Sequence, residues 1–198
     1  PDRHDAVMQM TGWPHDSLKP MGGRPSIGAT VSKLAGPTDP SVPPFVARVA
    51  VMVNPTREAV MAILDAVPIE LLQFHGDESP DFCASFHVPF LKAARIRPGL
   101  DLLEYLRPYD RAAGFLLDTY RADKFGGTGA SFDWGVIPAD LGRPIVLSGG
   151  LDPATVGEAI RRVQPWAVDV SSGVERAPGI KDAAKIAAFV RGARDADQ

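Results

Sequence analysis

The sequence predicts an α/β fold built around a parallel sheet, and three observations carry that prediction. Short runs of apolar, largely β-branched residues recur from residue 46 onward, as expected for strands covered on both faces. A helical stretch follows each run, so the order strand then helix repeats six times. Proline or a capping residue stands before several of the helices and marks where they start.

The predicted strands are residues 46–53, 71–75, 90–96, 114–118, 145–147 and 167–170. The predicted helices are residues 56–66, 80–86, 100–106, 134–137, 155–163 and 181–194. Six such units preceded by an irregular segment predict a (β/α)8 fold of TIM-barrel type, with the first one or two βα units absent or unrecognisable. An open six-stranded α/β sheet is the alternative.

Residues 1–42 differ from the rest of the chain. Pro, Gly, Ser, Asp and Met are scattered through them without a sustained helical or strand period, and only residues 27–31 resemble a strand. We therefore expect an irregular N-terminal segment, 1–42, followed by barrel units three to eight, 43–198. Because the first residue is Pro, we expect the natural start to be missing or processed.

Composition excludes several functional classes. The 198 residues suit one domain, and a net charge of -3 without a basic run argues against nucleic-acid binding. The longest apolar stretches are too short to cross a bilayer, so no membrane association is expected. The single cysteine, Cys83, excludes a disulfide framework and fits a cytoplasmic protein. We expect a monomer or a homodimer.

Two strand ends predict a phosphate site. Gly149 and Gly150 follow one predicted strand, while Ser171, Ser172 and Gly173 follow the next. Glycines let backbone N–H groups approach a phosphate closely, and the start of the following helix adds a favourable field. Barrels commonly bind phosphate after strands seven and eight. The alternative is that these glycines only serve tight turns.

A glycine-rich loop, residues 126–134, superficially matches nucleotide-binding fingerprints. It lacks the P-loop lysine and the Rossmann spacing, so it does not predict a nucleotide site. We expect Gly127 to lie against the substrate or its phosphate; a plain connecting loop is the alternative.

Five runs together resemble phosphoribosylanthranilate isomerase, in order and spacing, from about residue 42 to the C-terminal end: residues 72–78, 116–118, 126–134, 147–151 and 168–182. The resemblance implies conversion of N-(5-phosphoribosyl)anthranilate to 1-(2-carboxyphenylamino)-1-deoxyribulose 5-phosphate in tryptophan biosynthesis. The substrate is then a small phosphosugar, and no metal or organic cofactor is expected.

The resemblance also implies roles for three residues. Asp118 matches the acid that protonates the furanose oxygen, and its position at the end of a buried strand supports this independently. Asp169 matches an aspartate that supports the catalytic groups, and His75 matches a position near the substrate. The alternatives are a loop cap for Asp118, a structural ion pair for Asp169 and a strand-end hydrogen bond for His75.

Two features of the family have no match. Its general base is a cysteine in a Lys-Ile-Cys-Gly-Leu-Thr motif, whereas Cys83 lies on a predicted helix outside the barrel and is expected to be a core residue. Its anthranilate-binding arginine, in a Ser-Pro-Arg context, is also unmatched. The pattern begins abruptly at Val42, which suggests a frameshift or an incorrect gene start upstream of it.

We therefore expect an isomerase that is impaired as written, and a non-catalytic phosphosugar-binding remnant is the alternative. A related histidine-pathway isomerase is a third hypothesis. That family uses paired aspartates at strands one and five, and residues 95–97 offer no acid.

Overall fold

The computed structural model describes residues 30–32, 48–97, 99–119 and 134–196. Its strands are β1 (Thr30–Ser32), β2 (Val49–Met52), β3 (Leu71–Phe74), β4 (Phe90–Ile96), β5 (Gly114–Thr119), β6 (Ile145–Ser148), β7 (Ala167–Asp169), β8 (Glu175–Ala177) and β9 (Ile180–Lys181). Its helices are α1 (Arg57–Ala66), α2 (Pro80–Ala84), α3 (Leu102–Leu106), α4 (Val156–Val163) and α5 (Ala183–Ala196).

Strands β2 to β7 lie side by side in chain order and pair in parallel. Each overlaps one of the six predicted strands, so the six strands are confirmed. Strand β1 overlaps the short run predicted at residues 27–31 and pairs antiparallel with the outer edge of β7. The small β8–β9 hairpin forms a second sheet after β7.

Two of the helices begin at capping residues, as the sequence predicts. The Thr56 side chain accepts a hydrogen bond from the amide of Ala59, and the Ser79 side chain accepts one from Phe82. The helix predicted at residues 134–137 is instead a single 3₁₀ turn, Trp134–Val136. Pro138, two residues after the turn, cannot supply the amide that a longer helix needs.

The two faces of the parallel sheet pack differently. Side chains alternate along each strand, and those on one face join the helices in the larger core, which contains Phe74, Leu117, Leu147 and Phe189. On the opposite face the buried cluster is small: Leu91, Ala93, Leu116, Val146 and Ala167. The carboxyl-terminal end of this second face is where polar side chains replace the apolar ones.

No helix within the described residues is long and apolar enough to cross a membrane.

Candidate active site

His75 and Asp118 meet at the carboxyl-terminal edge of the sheet. His75 directly follows β3 and Asp118 lies near the end of β5, and Nε2 of the imidazole is 3.2 Å from Oδ2 of the carboxylate. Strand β4 separates their strands, so the contact spans an intervening strand. Both side chains are partly exposed, at 17% and 26%. A ligand at this edge can therefore reach both groups.

The other ring nitrogen of His75 is held by Gln73. The Gln73 side-chain nitrogen lies 3.3 Å from Nδ1 of the imidazole and carries only donor hydrogens. With the amide in this orientation, Nδ1 accepts and Nε2 donates to Asp118. Our sequence reasoning missed Gln73. Its position two residues before His75, on the same face of one strand, was the signal that could have revealed it.

Asp169 ends β7 on the same face as Asp118. Its Oδ2 accepts a hydrogen bond of 2.9 Å from the Ser148 hydroxyl, while its buried Oδ1 has no hydrogen-bond partner among the described residues. Burial raises the pKa of the Asp169 carboxyl to about 6, and the negative charge of Asp118 acts in the same direction. The Asp169 carboxyl interacts electrostatically with both Asp118 and His75, so the three groups belong to one site.

The two loops predicted to bind phosphate touch each other. Gly149 and Gly150 follow β6 with φ angles of 87° and 63°, a conformation that other residues rarely adopt. Gly173 lies in the 3₁₀ turn Ser172–Val174 after β7, and a Cβ atom there would be 1.9 Å from the carbonyl oxygen of Leu151. Only glycine fits at Gly173, because the backbones of the two loops are in direct contact.

The helix after Gly150 differs from expectation in one respect. The Asp152 carboxylate accepts hydrogen bonds of 2.9 Å from the amides of both Ala154 and Thr155, just before α4. Because this negative charge lies at the entrance to the helix, a phosphate there would depend more on the loop amides than on the helix end.

A lysine that sequence reasoning missed adds positive charge to this region. The Lys181 ammonium group donates to the carbonyl oxygen of Ser171 at 2.9 Å and to the Glu175 carboxylate at the same distance. Its charge also lowers the pKa of Asp169, against the larger effect of burial. The lysine belongs to the run 168–182 that carries the resemblance, but its placement depends on the β8–β9 hairpin, which the strand pattern did not predict.

A buried ion pair supports the turn after His75. Lys92 and Glu78 are 3.0 Å apart with side-chain exposures of 0% and 2%. The Glu78 carboxylate also accepts from the amides of Gly76 and Asn54, and the Lys92 ammonium group donates to the Gly76 carbonyl. A Cβ atom at Gly76 would lie 2.8 Å from the Asn54 backbone nitrogen, so glycine is needed there. The buried Lys92–Glu78 pair therefore fixes the backbone of the turn that follows His75.

Cys83 lies away from the site, as the sequence predicted. It sits in α2 and is fully buried in the larger core, on the helix side of the sheet. Burial raises the pKa of its thiol to about 11, so the group stays neutral near pH 7. Gly127, the remaining predicted site residue, lies outside the described residues.

The family model for N-(5'phosphoribosyl)anthranilate (PRA) isomerase matches residues 38–192. The chain belongs to this family. N-(5'-phosphoribosyl)anthranilate isomerase from Pseudomonas putida (strain F1) is 55% identical over 155 residues, which cover 78% of this chain and 75% of the relative. The enzyme from Nitrosospira multiformis is 55% identical over 152 residues, or 77% and 73% of the two chains.

Solved structures agree with the family assignment. Phosphoribosyl anthranilate isomerase from Thermotoga maritima is 39% identical with a TM-score of 0.68, over 78% of this chain and 76% of that one. A phosphoribosyl anthranilate isomerase in complex with reduced 1-(o-carboxyphenylamino)-1-deoxyribulose 5-phosphate gives 37% and 0.66, over 78% and 74%. The TIM-barrel type of the fold is thereby confirmed, and the open α/β sheet is set aside. The family consists of isomerases of tryptophan biosynthesis.

Proposed function

We propose that the chain converts N-(5'-phosphoribosyl)anthranilate to 1-(2-carboxyphenylamino)-1-deoxyribulose 5-phosphate. The observation that carries the proposal is the placement of Asp118 between His75 and the two touching glycine loops, at one edge of the sheet. In this proposal that edge brings the acid beside the phosphate, the two features that ring opening of a phosphoribosyl substrate requires. The high identity to isomerases supports the reaction.

In this proposal Asp118 protonates the furanose ring oxygen, and the ring opens to a Schiff base. A positioned acid is needed because the leaving ring alkoxide is strongly basic. His75 holds the Asp118 carboxyl in place through the 3.2 Å contact and contacts the substrate. Asp169 lies behind them, where its partly satisfied carboxylate orients the reacting groups through Ser148 and the field of its charge.

The phosphate binds between the loops after β6 and β7. We assign it to the backbone amides of Gly149, Gly150 and Gly173 and to the hydroxyls and amides of Ser171 and Ser172. Lys181 stands behind Ser171 and contributes positive charge. We place Gly127 at the same anion from the glycine-rich loop. In this proposal β2 to β7 are the third to eighth strands of the barrel, so residues 43–198 form units three to eight and the phosphate loops follow strands seven and eight.

The second step, removal of the proton at C2′, needs a base. The chain has one cysteine, and Cys83 is buried on the other face of the sheet with a thiol that is neutral near pH 7. The family cysteine therefore has no counterpart at this site, and we propose that turnover is slow. A non-catalytic remnant that only binds phosphosugars is the second candidate, and this unmatched base is what favours it.

Single-turnover kinetics distinguish the two candidates. The purified chain, in excess over N-(5'-phosphoribosyl)anthranilate, should form the deoxyribulose product faster than buffer alone, and Asp118→Asn should remove that excess rate. If ribose 5-phosphate binds but no product forms above the uncatalysed rate, the remnant is the correct description.

A further inference from the structure

Gln73 is a buried polar residue on the face of the sheet that carries the smaller apolar cluster. It is 4% exposed and lies in β3, where its Cα atom is opposite that of Leu91, a member of the cluster. Burying a side-chain amide costs free energy unless the amide is hydrogen-bonded. Among the described residues its side-chain partner is His75, whose Nδ1 lies 3.3 Å from the amide nitrogen. The reason for an amide at this position therefore lies in the imidazole.

The backbone of His75 is fixed, and its ring lies between two polar neighbours. The His75 amide donates to the carbonyl oxygen of Met52 at 2.8 Å and so continues the pairing of β3 with β2. The ring has Gln73 at Nδ1 and Asp118 at Nε2. Because a neutral imidazole carries one hydrogen, only one of these two nitrogens can donate at a time.

The orientation of the Gln73 amide decides which ring nitrogen carries that hydrogen. With the amide nitrogen at Nδ1, as in the structure, Nδ1 accepts and Nε2 donates to Oδ2 of Asp118. With the amide oxygen there, Nδ1 would donate, and Nε2 would be a bare acceptor 3.2 Å from Oδ2. Two acceptors at that distance repel each other unless the proton of the Asp118 carboxyl lies between them. The acid proton would then point to His75.

The arrangement in the structure is the one that suits an acid. Oδ2 of Asp118 accepts from His75, so a proton on this carboxyl group resides on Oδ1. Among the described residues Oδ1 has no hydrogen-bond partner, and the Asp118 side chain is 26% exposed. A ligand can therefore receive the proton from Oδ1 directly. In the opposite arrangement the imidazole would engage the same proton and withhold it from the ligand.

We propose that Gln73 is a positioning residue for the reaction: it keeps the ring hydrogen of His75 on Nε2 and thereby directs the acid proton of Asp118 to Oδ1. This inference rests on the proposed function and adds to it a residue and the oxygen atom that delivers the proton. In the step itself the bond between C1′ and the furanose oxygen breaks, and its electron pair goes to that oxygen, which takes the proton from Oδ1. The substrate nitrogen supplies its lone pair to C1′ and forms the protonated Schiff base. The carboxylate that remains still accepts from Nε2–H.

Nuclear magnetic resonance of the full chain with 15N-labelled histidine reads the tautomer directly at about pH 8.5, where imidazoles are ordinarily neutral. The chain has four histidines, and the signals of His75 are those that disappear in His75→Phe. We expect the Nε2–H tautomer in the unaltered chain. Gln73→Glu, whose carboxylate only accepts, should place a hydrogen on Nδ1. Gln73→Met removes the donor without burying a charge and should give a mixture of the two tautomers.

Steady-state kinetics with N-(5'-phosphoribosyl)anthranilate give the second readout. We expect Gln73→Met to lower kcat about 3- to 10-fold and Gln73→Glu about 10- to 100-fold. Because Gln73 is buried, KM should stay unchanged in both. Gln164→Glu, at the exposed carboxyl-terminal cap of α4, introduces the same charge and should change neither kcat nor the His75 signals. Gln73→Met carries the test if Gln73→Glu does not fold.

An Nδ1–H tautomer in the unaltered chain would overturn the proposal, and so would an Nε2–H tautomer that persists in the folded Gln73 variants. A changed tautomer with an unchanged kcat would also overturn it, while the proposed function would stand. If the unaltered chain forms no product above the uncatalysed rate, the proposed function fails and the positioning role fails with it, whichever tautomer is found.

Discussion

His75 and Asp118 are 43 positions apart in the chain, yet their side chains form a 3.2 Å contact across an intervening strand. The contact orients the carboxylate and leaves one of its oxygens for another partner. A carboxyl group held in this way, once protonated on the oxygen that His75 leaves free, can deliver a proton to a defined point, which a freely rotating one on a loop cannot.

Asp118→Asn should lower kcat about 10²- to 10⁴-fold with little change in KM, because asparagine keeps the shape and can accept from His75 but cannot protonate the ring oxygen. Steady-state product formation over a range of substrate concentrations measures both constants. Asp195→Asn, at an exposed position in α5, removes the same charge and should leave the rate unchanged. An Asp118→Asn variant as fast as the unaltered chain would exclude this residue as the acid.

Gly150→Val should abolish binding of ribose 5-phosphate as measured by calorimetry. The side chain would both strain a positive φ and cover the amides assigned to the phosphate. Gly142→Val is the matched control, because Gly142 has a φ of 70° and no atom near the position of an added Cβ. The control should share the strain but keep the affinity; equal loss in both would show that strain, and not the phosphate site, is responsible.

Asp169→Asn should stabilise the fold at pH 7 while lowering activity. The folded pKa of about 6 lies above the ordinary value of 3.8, so the native state holds this proton more tightly than the unfolded chain does. The contribution of Asp169 to stability is therefore present below about pH 4 and is lost as the pH rises through 6. Urea unfolding should show a gain for Asp169→Asn of up to about 3 kcal/mol at pH 7 that shrinks toward pH 4. If Asp169→Asn is less stable than the unaltered chain at pH 7, the ionised Asp169 carboxylate does not destabilise the fold.

Lys92→Met should destabilise the protein by about 3 to 5 kcal/mol, because it leaves the Glu78 carboxylate buried without its cation. Adding Glu78→Gln should recover part of the loss, since a neutral amide oxygen can still accept from the Gly76 and Asn54 amides. Lys185→Met, at an exposed position, should cost less than 1 kcal/mol by the same urea measurement. A double variant less stable than Lys92→Met alone would show that the charge was not the cause.

Replacing residues 1–42 with a family N-terminal segment that carries Lys-Ile-Cys-Gly should raise the rate about 10²- to 10⁴-fold, the usual contribution of a general base. Complementation of a tryptophan auxotroph lacking the isomerase provides the measurement. The same graft with serine in place of its cysteine separates the base from any effect on stability. If the unaltered chain complements as well as the graft does, the base is a residue that we have not identified.

The strands were predictable because a parallel strand is apolar at nearly every position, and this pattern does not depend on its neighbours. The same logic placed His75 and Asp118, which lie where a buried run ends. The helix predicted at residues 134–137 failed because four residues before a proline cannot complete a helical hydrogen-bonding pattern.

The supporting contacts were not predictable in the same way. Lys92 lies in an apolar run and pairs with Glu78, 14 positions earlier in the chain and on the other side of α2. No local sequence pattern predicts such a pair. Lys181 reaches Ser171 only because β8 and β9 fold back on each other. Both depend on tertiary placement, which residue spacing does not encode.

The hydrogen bonds around Glu78 have a consequence for exchange with solvent. The amides of Asn54 and Gly76 belong to connecting segments, where protons ordinarily exchange quickly with solvent, yet both donate to the Glu78 carboxylate. This carboxylate is buried and ion-paired. In deuterated water these protons should persist with those of the central strands, because releasing them requires opening the buried pair. The amide protons of the connecting segments beside His75 would then exchange as slowly as those of the protein interior.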